Sequence, residues 1–345
     1  VFDKNTTVAY VPSDTYTGDL KWETTSQFNV GVDLSLFNNR LRMTADYYRK
    51  KTTDLLNNVE MPRSSGYTTA LRNIGSIRNS GFELQLDGRI IDRAVKWDLG
   101  VNFSLNRSKV LVLSEDKDIF GGELDNTILK DQLNLMRVGE PMYVFYGYVE
   151  DGYDENGHIV YKNMDDDPAI TAADKTIIGD PNPDFLVNLT TAVSYKGFTL
   201  SAFFQSSIGN DIYSLSMAAQ AYDYGYNGNT LREVYYNHWT PENPTAKYPN
   251  LDQTSYKMSD RFVYDGSFVR LKNLELAYDV PCARSKFIKR ARVYVSAQNL
   301  FTITSYPFWD PDINANGGGS SMIQGVDSYC YPSARTYTIG CRLTF

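Results

Sequence analysis

The stretch VKWDLGVNFSLN, residues 95–106, separates into two sets when every second residue is taken. Trp97, Leu99, Val101, Phe103 and Leu105 form one set; Asp98, Gly100, Asn102, Ser104 and Asn106 form the other. Successive side chains of a strand point to opposite faces, so the spacing predicts a strand with one apolar and one polar face. The split recurs in Gln27–Leu36, where Phe28, Val30, Val32, Leu34 and Leu36 oppose Asn29, Gly31, Asp33 and Ser35. It recurs again at Phe82, Leu84 and Leu86, along Phe185–Tyr195, and at the end of the chain, where Tyr337, Ile339, Cys341, Leu343 and Phe345 share a parity. Nine such strands are predicted, near 21–37, 40–56, 79–91, 95–110, 184–196, 198–210, 267–280, 290–303 and 333–345. In the seventh, Val269 and Leu271 lie on one parity and Leu274, Leu276 and Tyr278 on the other, which a β-bulge near Lys272-Asn273 reconciles.

The connections differ sharply at the two ends. Asn38-Asn39, Asp92-Arg93 and Lys196-Gly197 read as tight hairpin turns built from residues that tolerate positive φ. At the other end about 73 residues separate Val110 from Asp184 and about 60 separate Gln205 from Ser267, lengths abnormal inside a compact domain. Short turns on one side and long loops on the other are the trace of an outer-membrane barrel, with turns in the periplasm and loops outside. No apolar run reaches the 18 or more residues of a membrane helix, which excludes helical spanning and leaves strands untouched. The 26 tyrosines suit a boundary that is half apolar and half wet, although they also suit a sugar-binding protein. A passive porin or barrel adhesin would share all these features. A soluble β-rich carbohydrate-binding protein would share the alternation but bury its apolar parity in a core. Bacterial single-chain barrels have even strand numbers, so nine strands predict the C-terminal part of a larger barrel, with residue 1 in an extracellular loop and the C-terminus periplasmic.

A net charge of -7 with no basic stripe argues against nucleic acid as a partner. Cys282, Cys330 and Cys341 match no zinc or redox spacing and read as small apolar side chains. No nucleophile elbow, P-loop or dinucleotide fingerprint occurs, and His158 and His238 have no Cys or acid at metal-ligand spacing, so no enzyme activity is expected. The acid excess is local: segment 111–183 carries 16 Asp/Glu against 5 Lys/Arg, a solvated acidic loop on the simplest reading. AYDYGYNG (221–228) places Tyr222, Tyr224 and Tyr226 in one long loop, either to stack on sugar rings or, with more weight, to pack against neighbouring loops or a lid protein.

Six ordered stretches carry a family resemblance: GDLKWETTSQFNVGVDLSLFNNRLRMTADYYRKKTTDLL (18–56), NIGSIRNSGFELQL (73–86), DKTIIGDPNPDF (174–185), GSFVRLKNLELAYDVP (266–281), VYVSAQNLFTITSYPFWDPD (293–312) and YPSARTYTIGCRLTF (331–345). They resemble the C-terminal barrel of the SusC/RagA-type TonB-dependent transporters of Bacteroidetes. The resemblance implies an all-β fold, residues 1–345 forming about nine antiparallel strands of a 22-stranded transmembrane barrel whose plug domain and N-terminal strands are not in this chain. It further implies import of oligosaccharides or peptides, driven by the TonB complex through the N-terminal part, beneath a SusD-like surface lipoprotein, as a dimer of transporter-lipoprotein pairs embedded in outer-membrane lipid. This chain alone is not expected to transport. Phe345 stands where the family's barrels end in an aromatic read by the assembly machinery. NMDDDPAITAADKTIIGD (163–180) is similar to a degenerate calcium loop of some members, with Asp165, Asp167 and Asp174 as candidate Ca2+ ligands, but it lacks the central Gly and terminal Glu of an EF-hand. No other cofactor is implied.

Overall fold

The computed structural model describes residues 20–60, 69–73, 75–113, 117–125, 129–222, 229–282, 287–313 and 323–345. Nine long strands follow one another in a single antiparallel sheet whose spatial order is the chain order. They are β1 Thr24–Leu36, β2 Leu41–Thr53, β3 Gly75–Asp92, β4 Val95–Leu113, β5 Phe185–Tyr195, β6 Phe198–Ile208, β7 Phe268–Val280, β8 Arg290–Thr304 and β9 Thr336–Thr344. Every expected strand is present, and most ends fall within three residues of the sequence reading.

The register aligns like with like. One cross-strand row runs Leu34, Met43, Leu86, Val101, Leu189, Phe204, Leu271 and Phe301; the row one residue away runs Asp33, Thr44, Gln85, Asn102, Asn188, Gln205, Arg270 and Thr302. Eight strands thus agree on which face is apolar, and a slip of one residue in any of them would reverse its contribution. The bulge falls where the phase slip requires it. Leu271 pairs with Phe204 and Asn273 with Phe203, leaving Lys272 out of the ladder, so Val269, Leu271, Leu274 and Leu276 all reach the same face.

That apolar face has no protein over it. Leu200 is 48% exposed, Val295 51% and Ile339 83%. A soluble sheet would hide such a face in a core, whereas a barrel wall presents it to hydrocarbon. Among the described residues no helix is long and apolar enough to span a membrane, which bears on helices alone.

At the short end, Phe37, Asn38 and Asn39 all take left-handed φ (54°, 56° and 63°), as do Lys196 (48°) and Gly197 (86°). The expected turn at Asp92-Arg93 lies one residue later, at Arg93-Ala94, and needs no positive φ. At the far end the described parts of the excursions 114–184, 209–267 and 305–335 build a second folded layer. Ile119–Phe120, Asn134–Met136, Val144–Gly147 and Thr176–Gly179 form a four-stranded sheet; Asp211–Ser214, Val263–Asp265 and Val326–Asp327 form a three-stranded one. Phe145, Tyr213, Met258, Phe262 and Val326, drawn from all three excursions, share its core with helix α1, Leu215–Tyr222. The abnormal loop lengths are therefore those of a packed layer, and the buried core of the molecule sits there, away from the apolar face of the sheet.

The two faces should respond differently to charge. Val101→Arg should cost about 2–4 kcal/mol near the bilayer midplane, and Asn102→Arg much less. Reversible unfolding of the full-length protein in lipid measures both, and equal costs would contradict the assignment of faces.

Candidate functional site

One arginine makes a deeply buried polar link between the polar face of the sheet and the loop layer. Arg270 lies on the polar parity of β7 and is only 1% exposed. Its Nη2 donates to Asp310 Oδ1, its Nε to Thr302 Oγ1 at 3.0 Å, and its Nη1 to Ser333 Oγ at 3.3 Å, with Asp312 Oδ2 at 3.5 Å. Asp310 also accepts the backbone N–H of Asp312 and of Ser333, each at 2.9 Å. Burial alone would push the Asp310 carboxyl up, but these two amides and the guanidinium hold it below the usual carboxylate range. A charge this deep is tolerated because the guanidinium meets two carboxylates and two hydroxyls. Nearby, the Tyr306 hydroxyl donates to Asp327 Oδ2 at 2.6 Å, tying the start of the excursion 305–335 to the three-stranded sheet.

Between this clamped segment and the wall lies a recess of about 240 Å3. Asn188, Gln205 and Ser207 form its floor from the polar face of β5 and β6, and Pro183, Asn210, Pro311 and Asp312 its rim. Asn188 Oδ1 is buried with no hydrogen-bond partner among the described residues. Amides, a hydroxyl and one carboxylate can hold a polar group by hydrogen bonds. None is a nucleophile beside a base.

The residues singled out in sequence are placed elsewhere. Asp174 is fully buried, and its two oxygens accept the amides of Met164 and Thr171 at 2.7 Å each, closing a capping box on the short turn Ala172–Asp174. Those amides, with that of Asp165, hold its carboxyl below the ordinary range. Asp165 accepts from the Asp167 amide at 2.8 Å, and Asp167 from the Ala169 amide at 3.0 Å. The three candidate Ca2+ ligands are thus engaged with successive amides and do not converge, and among the described residues no group of three His, Cys, Asp or Glu is arranged to hold a metal ion. They do not fit the calcium loop.

Tyr222 takes the packing alternative and not the sugar-stacking one: it is 5% exposed, its ring stacked on Tyr256 at 3.7 Å and met edge-on by Phe262 at 5.1 Å. Tyr224 and Tyr226 lie outside the described residues. His158, without an acid at ligand spacing in sequence, meets Asp252 through Nε2 at 2.8 Å, a contact across 94 residues that joins two loop segments. Phe345 projects from the apolar parity and is 71% exposed. Arg270 and Asp310 escaped the sequence reading. Their signal was a lone arginine on the polar parity of FVRLKN and the acidic pair of WDPD, but nothing linked the two.

A family model described as TonB dependent receptor-like, beta-barrel, matches residues 5–300. The chain belongs to this family. It is 34% identical over 357 residues to TonB-dependent receptor P3 of Formosa agariphila, covering 97% of this chain and 35% of that protein. To TonB-dependent receptor SusC of Bacteroides thetaiotaomicron it is 29% identical over 339 residues, covering 95% of this chain and 32% of SusC. Among solved structures, the RagAB peptide transporter superposes with a TM-score of 0.80 at 29% identity, over 96% of this chain and 36% of that one. The chain spans about a third of the length of the curated relatives it matches. Family, sheet and register together make it a SusC/RagA-type barrel wall of the outer membrane.

Arg270→Ala leaves Asp310 buried without its cation, which should cost about 3–5 kcal/mol. Hydrogen exchange in the full-length protein should rise in 305–313 and 323–335 and stay unchanged at the short turns. Because the folded Asp310 lies below its unfolded value, its contribution is present at neutral pH and is lost only as pH falls below about 4. Exchange in these segments that is unaltered by the substitution would remove the clamp from the account.

Proposed function

We propose that the protein to which this chain contributes is a TonB-dependent importer of oligosaccharides or peptides, with an N-terminal plug and earlier strands completing the barrel. The observation that carries this reading is a polar face, floored by Asn188 and Gln205, that is roofed at one end by a folded loop layer in a chain of this family. A barrel that only spanned the membrane would need no such roof. RagAB, a peptide transporter, and SusC are the similar proteins that support import. The partners proposed are a SusD-like surface lipoprotein over the loop layer, the TonB complex acting through the N-terminal part, and a second transporter-lipoprotein pair. The wall itself carries out no catalysis. The loop-bearing end faces outward, the short turns and C-terminus face the periplasm, and Phe345 serves as the assembly signal.

A passive porin is separated from an importer by energy dependence. Deleting the gene should abolish uptake of the cargo, and dissipating the proton gradient should stop uptake in intact cells; uptake that continues without the gradient would support the porin. In the same cells, an impermeant thiol reagent should label Asp166→Cys and spare Gly197→Cys. Removing Phe345 should sharply reduce the labelled surface population, and the reverse labelling pattern would overturn the orientation.

A further inference from the structure

The outward face is apolar along most of its height, but on three neighbouring strands it changes character toward the loop-bearing end. On β2 the outward residues Met43, Ala45 and Tyr47 give way to Arg49 and Lys51; on β4, Val101, Phe103 and Leu105 give way to Arg107 and Lys109. On β3, between them, Leu86, Leu84 and Phe82 give way to Ser80 and Arg78. The register sets Lys51 opposite Arg78 opposite Lys109, and Arg49 opposite Ser80 opposite Arg107. Apart from Lys272 at the bulge, every outward Lys or Arg of the nine strands belongs to this cluster.

Its height is that of a headgroup. From Trp97 to Leu105 the apolar parity of β4 runs about 27 Å along the strand, or about 21 Å across a bilayer at the usual tilt, close to the apolar band of an outer-membrane barrel. The cations begin at the next outward position. Like charges directly opposite one another destabilise a sheet, so three cations side by side on adjacent strands call for a counter-charge. The protein supplies little of it: Arg107 pairs with Asp184 at 2.5 Å, while Arg49, Lys51, Arg78 and Lys109 have no ion-pair partner among the described residues.

We propose that this cluster binds the phosphate groups of a phosphorylated glycolipid in the leaflet at the loop-bearing end. Arginine forks match phosphate oxygens, and basic groups at headgroup height are drawn to anionic lipid. The size of the patch selects the occupant. Three strands at about 4.8 Å and two rows about 7 Å apart make a surface of about 10 by 7 Å, which a phosphorylated sugar headgroup covers and a single glycerophosphate does not. The choice of leaflet rests on the outward orientation of the loops proposed above.

The test is lipid retention by the full-length transporter purified from its own membrane in mild detergent, with bound glycolipid and glycerophospholipid per protein measured by mass spectrometry. Neutralising the row nearer the loops, Lys51→Gln, Arg78→Gln and Lys109→Gln, should lower bound glycolipid at least about fivefold, since each basic group near an anionic surface contributes about that factor. The control, Arg42→Gln with Lys50→Gln, removes two cations from the polar face of β2 and should leave retention unchanged. Equal retention in the triple variant, or an equal fall in the control, would overturn the proposal. Glycerophospholipid held by the wild type and released by the triple variant would also overturn the choice of occupant, and would place the loop-bearing end at the other leaflet. Retention is read without import, so failure of the import reading would leave this result standing.

Discussion

Every part of this molecule depends on keeping a two-residue alternation in register across nine strands. The sheet hydrogen-bonds each strand to the next whatever its side chains are, so the ladders alone do not choose a face. The choice is made by rows such as Leu34–Met43–Leu86–Val101, which must meet hydrocarbon together, and Asp33–Thr44–Gln85–Asn102, which must not. The bulge at Lys272 is one consequence. A strand that slipped by one residue would bring Asn273 and Glu275 to lipid, and the extra residue restores the phase.

With the apolar face committed to lipid, compact packing has to be found at the end of the barrel. The three excursions 114–184, 209–267 and 305–335 find it with one another, around Phe145, Tyr213 and Phe262. They attach to the wall in two ways: an apolar cluster at the strand ends, where Val110 and Leu113 pack with Met136, and polar links to the polar face. The Arg270–Asp310 pair is the most buried polar form of that attachment, while Asn134, donating through Nδ2 to the Gln324 carbonyl at 3.0 Å, ties two of the excursions to each other. Where the roof meets the polar face it leaves a recess lined with amides and hydroxyls, groups that can hold a polar molecule by hydrogen bonds.

The strands and even the bulge were legible in the sequence because a period of two is a local signal, readable within ten residues of chain. The layer at the loop-bearing end was not, because its partners are remote: His158 finds Asp252 and Asn134 finds Gln324 only through the fold. The candidate site residues show the same limit. A run of aspartates looks like a ligand set along the chain, yet Asp165 and Asp167 each accept the amide two residues on, and Asp174 those of Thr171 and Met164, as short carboxylates in turns commonly do. Tyr222, for which packing carried more weight than stacking on sugar, is the ring on which Tyr256 stacks, a partner the sequence could not name. Family resemblance reached further than periodicity, since it tied together motifs whose contacts are long-range, such as those that hold Arg270 and Asp310.

The most direct test of the account is a scan of lipid contact along one strand. A fluorophore placed in turn at each position from Leu99 to Leu105 of the full-length protein, reconstituted in bilayers of brominated lipid, reports quenching by the acyl chains. Strong quenching at 99, 101, 103 and 105 with little at 100, 102 and 104 is the predicted result. Uniform quenching, or quenching in the opposite phase, would contradict the assignment of the apolar parity to the membrane, and with it the barrel.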